Sequence, residues 1–474
     1  MAGQRIRDNY ILSSIGIVCG LLILICIDSG HNWGGDFSLY IAQAKALVTS
    51  SMYHLYELNK FSMDNSIDNI GPYLYPNGFP LLLAPAYFFF GVNYVIMKGY
   101  CGLFLILSIP VMYQLFKDHY ANRFFVFFII AFIVFNVSFV TFSNEVLSDL
   151  PFFFFSLLAL YLMTVKNTVL NQVLLGICML FSYFIRDVGI FLAPTLFVLQ
   201  LQQVLSGKAQ LKRWPYLAIP YVVFAGGFLL NYQLMPKGGE NALAIFFSRL
   251  QPGALIDIMI RGGKYYVKVV VSFFLAGFIP GNKLFWVLSP IPVFMAIGVF
   301  SNWKDHLHFI TFVTLIFLML LIWPYCDYRF LFPVMPFLIH FMLKGILFVS
   351  NRVALKQKHL FAGLSAALMI FVFFNVKEII RFGKMETDTV YTPEMRDIYG
   401  YLEGHVPKDQ IIGFNKPRVL RLITGINSIY VDEKTFQQSP AKYLLIEKEK
   451  ITGATGQYDP MFETPNYILV KKGL

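Results

Sequence analysis

The residues best placed to do chemistry sit where charged or polar side chains interrupt long apolar runs. Gly34-Gly35-Asp36-Phe37-Ser38-Leu39-Tyr40 follows the first apolar stretch and opens a helix-like run to Thr49. Phe37, Ile41, Ala44 and Val48 fall on one face at helical spacing, and Ser38, Lys45 and Thr49 on another. Such a helix suits a membrane surface and puts Asp36 at the polar boundary, where a carboxylate is a candidate general base. The plainer alternative is a helix cap, since Asp is favoured there and the two glycines suit a turn. Tyr73-Leu74-Tyr75-Pro76-Asn77-Gly78-Phe79-Pro80 precedes another apolar run, so it is either a rigid pocket wall or a simple break before a second surface helix.

Three further charge pairs lie at the ends of apolar runs: Glu145 with Asp149, Arg186 with Asp187, and Asp327 with Arg329. Charges that enter hydrocarbon are costly, so each calls for a reason. Each could mark a short hairpin at the water interface, or Arg186–Asp187 and Asp327–Arg329 could partly neutralise one another. Acids and arginines gathered on one membrane face also suit an anionic lipid headgroup, because guanidinium binds phosphate through a planar fork of donors.

The elements that must position these residues follow from composition. The 474 residues are 57% hydrophobic, 17% aromatic and 14% charged. A soluble globular chain carries about 25% charged residues, so water is not the main solvent here. The net charge is +11, and the residues before Lys377 hold 24 basic against 14 acidic side chains. That excess reads as membrane topology rather than nucleic-acid binding. The five cysteines have neither a disulfide-framework nor a metal-site spacing.

A spanning helix needs roughly 20 apolar residues. About eleven spans (10–13) are expected, near 10–28, 93–116, 124–142, 150–165, 168–185, 188–205, 214–233, 284–301, 307–324, 329–350 and 359–376. With the N-terminus cytoplasmic, Arg5, Arg7, Lys117, Arg123, Lys166, the 208–213 cluster, Lys304 and Arg352-Lys356-Lys358 all fall in inner loops. This requires 264–280, with Lys264 and Lys268 on one face, to be an amphipathic helix on the outer surface rather than a span. The chain therefore reads as mainly α: a transmembrane catalytic domain over 1–376 with outer interfacial helices, and a small soluble α/β domain over 377–474. Short helices are expected at 393–404 and 416–423, and strands at 409–414, 427–431, 442–446 and 466–471.

Five segments in register, GGDFSLYIAQAKAL, YPNGFPLLLAPAYFFFG, SNEVLSDLPFFFFSLLALYL, Arg186-Asp187-Val188-Gly189 and YRFLFPVMPFL, resemble GT-C glycosyltransferases. Within that class the chain is most similar to the bacterial relatives of protein O-mannosyltransferases and of the lipid A aminoarabinose transferase. The tail segment IIGFNKPRVLRLITGINSIY is similar to the outer domain of such members. The resemblance implies transfer of a sugar from a polyprenyl-phosphate donor to lipid A, a protein or a surface glycan. It places the reaction on the outer face of the cytoplasmic membrane, with inversion at the anomeric carbon. It casts Asp36 as the general base, and Arg329 and Arg186 as donor-phosphate ligands, with Lys264 and Lys268 as further cations for that phosphate. Tyr40, Tyr75, Asn77, Glu145, Asp149, Asp187 and Asp327 would line the substrate pocket. Two departures stand out. Many relatives carry a second acid where this chain has Phe37, and Lys-Pro-Pro where it has Tyr75-Pro76-Asn77.

Physical logic points the same way, since a lipid-linked sugar already has a phosphate leaving group and needs only a base and compensating cations. No phosphate-binding glycine loop is visible, which argues against a nucleotide-sugar donor. No cofactor is expected, and no clear ligand set supports a divalent metal. A non-enzymatic lipid or sugar transporter is the main alternative, but the inverted repeats and broken midplane helices of transporters are missing. A ligase or polymerase of lipid-linked glycans would use the same chemistry on a larger acceptor.

Overall fold

The computed structural model describes residues 2–68, 70–207, 214–236, 252–275, 290–385, 390–451 and 459–472. The first apolar run forms α1 (Ala2–Cys26). Three helices of 13 residues each follow, α2 (Asp36–Val48), α3 (Met52–Asp64) and α4 (Gly78–Phe90). The bundle then continues through α5 (Tyr94–Phe116), α6 (Phe124–Val134), α7 (Val137–Thr141), α8 (Asp149–Thr164), α9 (Val169–Ile185), α10 (Leu192–Leu205) and α11 (Trp214–Leu234). Beyond it come α12 (Pro252–Ser272), α13 (Pro290–Asn302), α14 (Leu307–Ile322), α15 (Met335–Arg352) and α16 (Gln357–Gly383).

Among the described residues six helical stretches are long and apolar enough to cross a bilayer, and a seventh if α6 and the segment Val137–Asn144, bent by 48°, form one broken span. The chain is thus a multi-pass membrane protein. The expected count of about eleven is not reached by length and composition among the described residues. Helices α8, α9, α13 and α14 stand where spans were expected but have between 13 and 17 residues, short of the roughly 20 needed to cross. Tight 3-10 turns such as Phe142–Asn144, Asp187–Phe191 and Tyr328–Val334 adjoin helix ends next to the site. Irregular backbone of this kind is tolerated at membrane depth where protein buries it or a cavity lies beside it. Residues 284–289 of the expected eighth span lie outside the described residues.

The amphipathic helix expected at 264–280 begins earlier, at Pro252, and ends at Ser272, while 276–280 lie outside the described residues. It packs against α14. Tyr266, Val269 and Val270 are buried and Lys264 and Lys268 are exposed. It is not among the helices apolar enough to cross.

The last long helix runs past residue 376, the expected domain boundary, to Gly383. The tail then forms α17 (Pro393–His405), β1 (Ile411–Gly413), α18 (Pro417–Thr424), β2 (Asn427–Ile429), α19 (Glu433–Phe436), β3 (Tyr443–Glu447), β4 (Asp459–Glu463) and β5 (Tyr467–Lys471). The sheet order is β2-β1-β3-β5-β4, with β1 parallel to β2 and β3 and the remaining pairs antiparallel. Met395, Ile398, Leu402, Ile412, Leu420, Leu445 and Leu469 form its own apolar core.

This small domain is seated on α2 and α3. Ser62 Oγ donates to the Ser428 carbonyl at 2.8 Å, and Ile67 N to the Tyr430 carbonyl at 2.9 Å. Arg421 donates to Asn59 and to Ser62 Oγ.

Candidate active site

Residues 27–35 leave α1 as an irregular loop, and two anchors hold it. Beneath it the ammonium of Lys98, fully buried on α5, donates to Asp28 Oδ1 at 2.7 Å, to the Gly30 carbonyl at 2.5 Å and to Asn144 Oδ1 at 2.8 Å. Asn144 returns a hydrogen bond to Asp28 Oδ2 at 2.9 Å. On the other side Val390 N donates to the His31 carbonyl at 2.8 Å, and Trp33 meets Phe414 edge-on at 6.0 Å. A buried cation is stable only when its donors are met, and here they tie three elements together.

That anchoring delivers Asp36 to a cavity of about 460 Å³. His31, Asn32, Asp36, Thr141, Glu145, Asp327, Tyr328, Arg329 and Phe382 contribute to its wall. Asp36 is the first residue of α2, Gly35 holds the cap position, and no side chain caps the helix. The carboxylate is committed elsewhere. Its Oδ1 accepts from the Tyr75 hydroxyl at 2.6 Å, and its Oδ2 lies 3.8 Å from Arg329 Nη2. Tyr75 is held by stacking on Tyr40 at 4.5 Å and by Gln43, whose side chain bonds both backbone groups of Tyr75 and the Asn77 amide.

Arg329 stands among three carboxylates. Its Nε is 2.9 Å from Asp327 Oδ2, its Nη1 is 3.7 Å from Asp149 Oδ2, and its Nη2 faces Asp36. The two Nη separations are ion-pair rather than hydrogen-bond distances. Both groups therefore keep donors for an incoming anion. Asp149 is nearly buried and is also paired with Arg186, which lies over the Phe330 ring at 5.2 Å.

Glu145 and His31 form the second polar pair. His31 Nε2 accepts from the Val146 backbone N–H at 3.0 Å, so the imidazole is neutral, and burial pushes its pKa down to about 3. Its ring stacks on Phe37 at 3.7 Å. Glu145 Oε1 accepts from Asn32, while Oε2 is buried with no hydrogen-bond partner, 3.4 Å from His31 Nε2. Loss of water lifts the Glu145 carboxyl to about 7, because the charged form loses more hydration than Lys98 and the Asn32 amide restore. A carboxyl so poised exchanges a proton at neutral pH.

Of the twelve side chains singled out from sequence, Asp36, Glu145, Asp327 and Arg329 line the cavity. Tyr40, Tyr75, Asn77, Asp149 and Arg186 are not on its wall but are linked to it by the contacts above. Asp187 is exposed and away from the cavity wall, and so are Lys264 and Lys268. The capping role weighed for Asp36 is not the one its carboxylate adopts. His31, Asn32 and Lys98 escaped notice, since only tertiary contacts make them part of the site. Among the described residues no three His, Cys, Asp or Glu side chains converge as metal ligands.

Residues 47–178 match the profile of the family described as dolichyl-phosphate-mannose-protein mannosyltransferase. The matched stretch includes Tyr75, Asn77, Lys98, Glu145 and Asp149, and leaves out Asp36, Arg186 and Arg329. No curated protein matches the chain by sequence. The fold is similar to that of ArnT from Cupriavidus metallidurans bound to undecaprenyl phosphate, at a TM-score of 0.60 and 12% identity over 97% of both chains. Apo ArnT from the same organism gives 0.63 and 12% identity over 98% of both. The archaeal oligosaccharyltransferase AglB from Archaeoglobus fulgidus, in complex with an inhibitory peptide and a dolichol-phosphate, gives 0.57 and 10% identity over 93% of this chain and 70% of its own. The GT-C resemblance read from the motifs is thus matched by a family profile over residues 47–178 and by similarity to the ArnT fold over nearly the whole chain.

Proposed function

We propose that this chain transfers a sugar from a polyprenyl-phosphate donor to a hydroxyl of a lipid, glycan or protein acceptor, inverting the anomeric carbon, with Asp36 as general base. The observation that carries this reading is the pairing of Asp36, 44% exposed to the cavity, with Arg329, whose Nη donors remain available. Asp36 takes the acceptor proton as the acceptor oxygen bonds to the anomeric carbon. The bond from that carbon to the phosphate oxygen breaks, and its electron pair leaves with the polyprenyl phosphate. Arg329 compensates the charge that builds on the departing oxygen.

Undecaprenyl phosphate bound to ArnT and dolichol-phosphate bound to AglB support the donor class. The basic loops support a cytoplasmic-membrane protein with the cavity and the 377–474 domain on the outer face.

Asp36→Asn tests the assignment cleanly, because Asn keeps the shape and the first position of α2 while losing the base. The expected result is a loss of at least about 100-fold in single-turnover transfer with undecaprenyl-phosphate affinity retained. Normal transfer by a folded variant would pass the role to Glu145, the carboxyl on the cavity wall that no arginine pairs.

A further inference from the structure

Asn32 ties the turn that carries Asp36 to the cavity wall. Its Oδ1 accepts from the Gly34 backbone N–H at 2.9 Å and its amide donates to Glu145 Oε1, while Gly34 and Gly35 lead directly into Asp36. Behind this turn the His31 ring stacks on buried Phe37 at 3.7 Å. Both nitrogens of His31 have fixed roles. Nδ1 lies 3.1 Å from the Asn32 carbonyl, which can only accept, so Nδ1 carries the hydrogen. Nε2 accepts from the Val146 backbone N–H at 3.0 Å and therefore presents a lone pair. Glu145 Oε2 stands 3.4 Å from Nε2, buried and with no hydrogen-bond partner. A carboxylate there would set two acceptors face to face away from water, which is costly. A carboxylic acid puts its one proton into that gap. The charges around it do not reverse this. Loss of water holds the Glu145 carboxyl up to about 7 against Lys98 and Arg329, which favour the carboxylate, and Asp28 opposes it. Asp36 and Asp327, on the same wall, are acids too.

We propose that Glu145 is a positioning residue that works as a neutral acid: the proton on Oε2 faces His31 Nε2, and Oε1, through Asn32, holds the turn that presents Asp36 to the acceptor. Once the proton leaves, the charged oxygen and the imidazole lone pair repel, and the turn loses its anchor. Glu145 then serves the geometry of the site and takes no proton from the acceptor. The transfer reaction acquires an alkaline limit that belongs to this carboxyl, because neither the phosphodiester donor nor a hydroxyl acceptor titrates in that range. This inference rests on the proposed transfer with Asp36 as the base.

The first test needs no substrate. The full chain in detergent is treated across a pH series with dicyclohexylcarbodiimide, which attacks carboxyls in their protonated form, and the label on Glu145 is followed by peptide mass spectrometry. Labelling should fade with a midpoint near pH 7; a midpoint at the ordinary 4.5 would overturn the proposal. The second test is single-turnover transfer with the donor that the wild type uses. The wild-type rate should fall at least about tenfold between about pH 7 and pH 9. Glu145→Gln is the isostere of the neutral acid, with an oxygen to accept from Asn32 and an N–H to face His31 Nε2. It should transfer at least about tenfold faster than Glu145→Ala at pH 7 and should lack the alkaline fall. Asn32→Ala cuts the link to the Gly34 turn, so it should slow transfer about tenfold while undecaprenyl-phosphate affinity is retained. A Gln variant as slow as Ala would mean that the carboxylate itself is needed, and a Gln variant that keeps the alkaline fall would assign that limit to another group; either result overturns the proposal. If the Glu145 variants fail to fold, the carbodiimide midpoint in the wild type and the rate of Asn32→Ala decide. Normal transfer by Asp36→Asn, with Gln still rescuing at position 145, would remove the base assignment and leave the neutral Glu145 standing.

Discussion

Arg329 answers to Asp36, Asp149 and Asp327 at once, so its removal leaves three acids to repel one another beside the position proposed for the donor phosphate. Arg329→Ala should weaken undecaprenyl-phosphate binding or turnover by roughly 10- to 1,000-fold, from about 1.5–4 kcal/mol of lost charge-assisted contact. Lys should restore only part, because it lacks the planar fork; full recovery in a calorimetric titration would contradict the phosphate role. Glu145 gives a pH dependence with a definite sign. Its carboxyl is raised from 4.5 to about 7, so the folded chain holds this proton more tightly than the unfolded chain does. Stability should therefore fall as pH rises from about 4.5 to about 7 and level off above, by on the order of 3 kcal/mol. Thermal melts in detergent should show that slope in the wild type and not in Glu145→Gln; equal slopes would contradict the assignment. At this scale Asp36, Glu145, Asp327 and Arg329 were legible as charges ending apolar runs. His31 and Lys98 were not, because an isolated basic residue in sequence carries no sign of the distant carboxylate, amide or backbone group that it meets.

The helices themselves follow from hydrophobic runs, and each of the eleven expected spans contains helix. What the runs did not disclose is how the helices pack. Gly298 on α13 and Gly345 on α15 lie at a crossing where a Cβ on either would run into the carbonyl oxygen of Phe341 or Phe294 on the facing helix. Small residues allow such close approach in membrane bundles. Gly345→Ala should destabilise the chain by about 1–3 kcal/mol, as overpacking does, seen as a lower melting temperature with the Arg329 cavity still able to bind undecaprenyl phosphate once folded. An unchanged melt would mean that the crossing relaxes freely. Helix α12 shows a different limit. Its start at Pro252 was hidden because Asp257 and Arg261 dilute the apolar signal of its first turns. Strand β4 went unseen because Pro460 breaks the strand signal and its order is supplied by pairing with β5.

For the whole molecule, the basic loops imply that the tail domain and the cavity share the outer side. Lys408 is exposed on the tail domain, and the native cysteines are buried except for Cys326. Lys408→Cys in a Cys326→Ser background should react with an impermeant maleimide in intact spheroplasts. Labelling only after permeabilisation would invert the topology. The contacts that seat the tail domain on α2 and α3 make the order of elements matter, since Asn59 and Ser62 meet Arg421 and Ser428 from far along the chain. In the proposed reaction these parts together release a polyprenyl phosphate as a sugar moves. The direct measurement is incubation of purified protein with a panel of undecaprenyl-phosphate sugars and lipid or peptide acceptors, with mass spectrometry of the lipid and anomeric analysis of the product. The proposed reaction requires undecaprenyl phosphate to be released in step with a product of inverted configuration, and neither to form with Asp36→Asn. A retained configuration, or sugar transferred with no release of undecaprenyl phosphate, would contradict it.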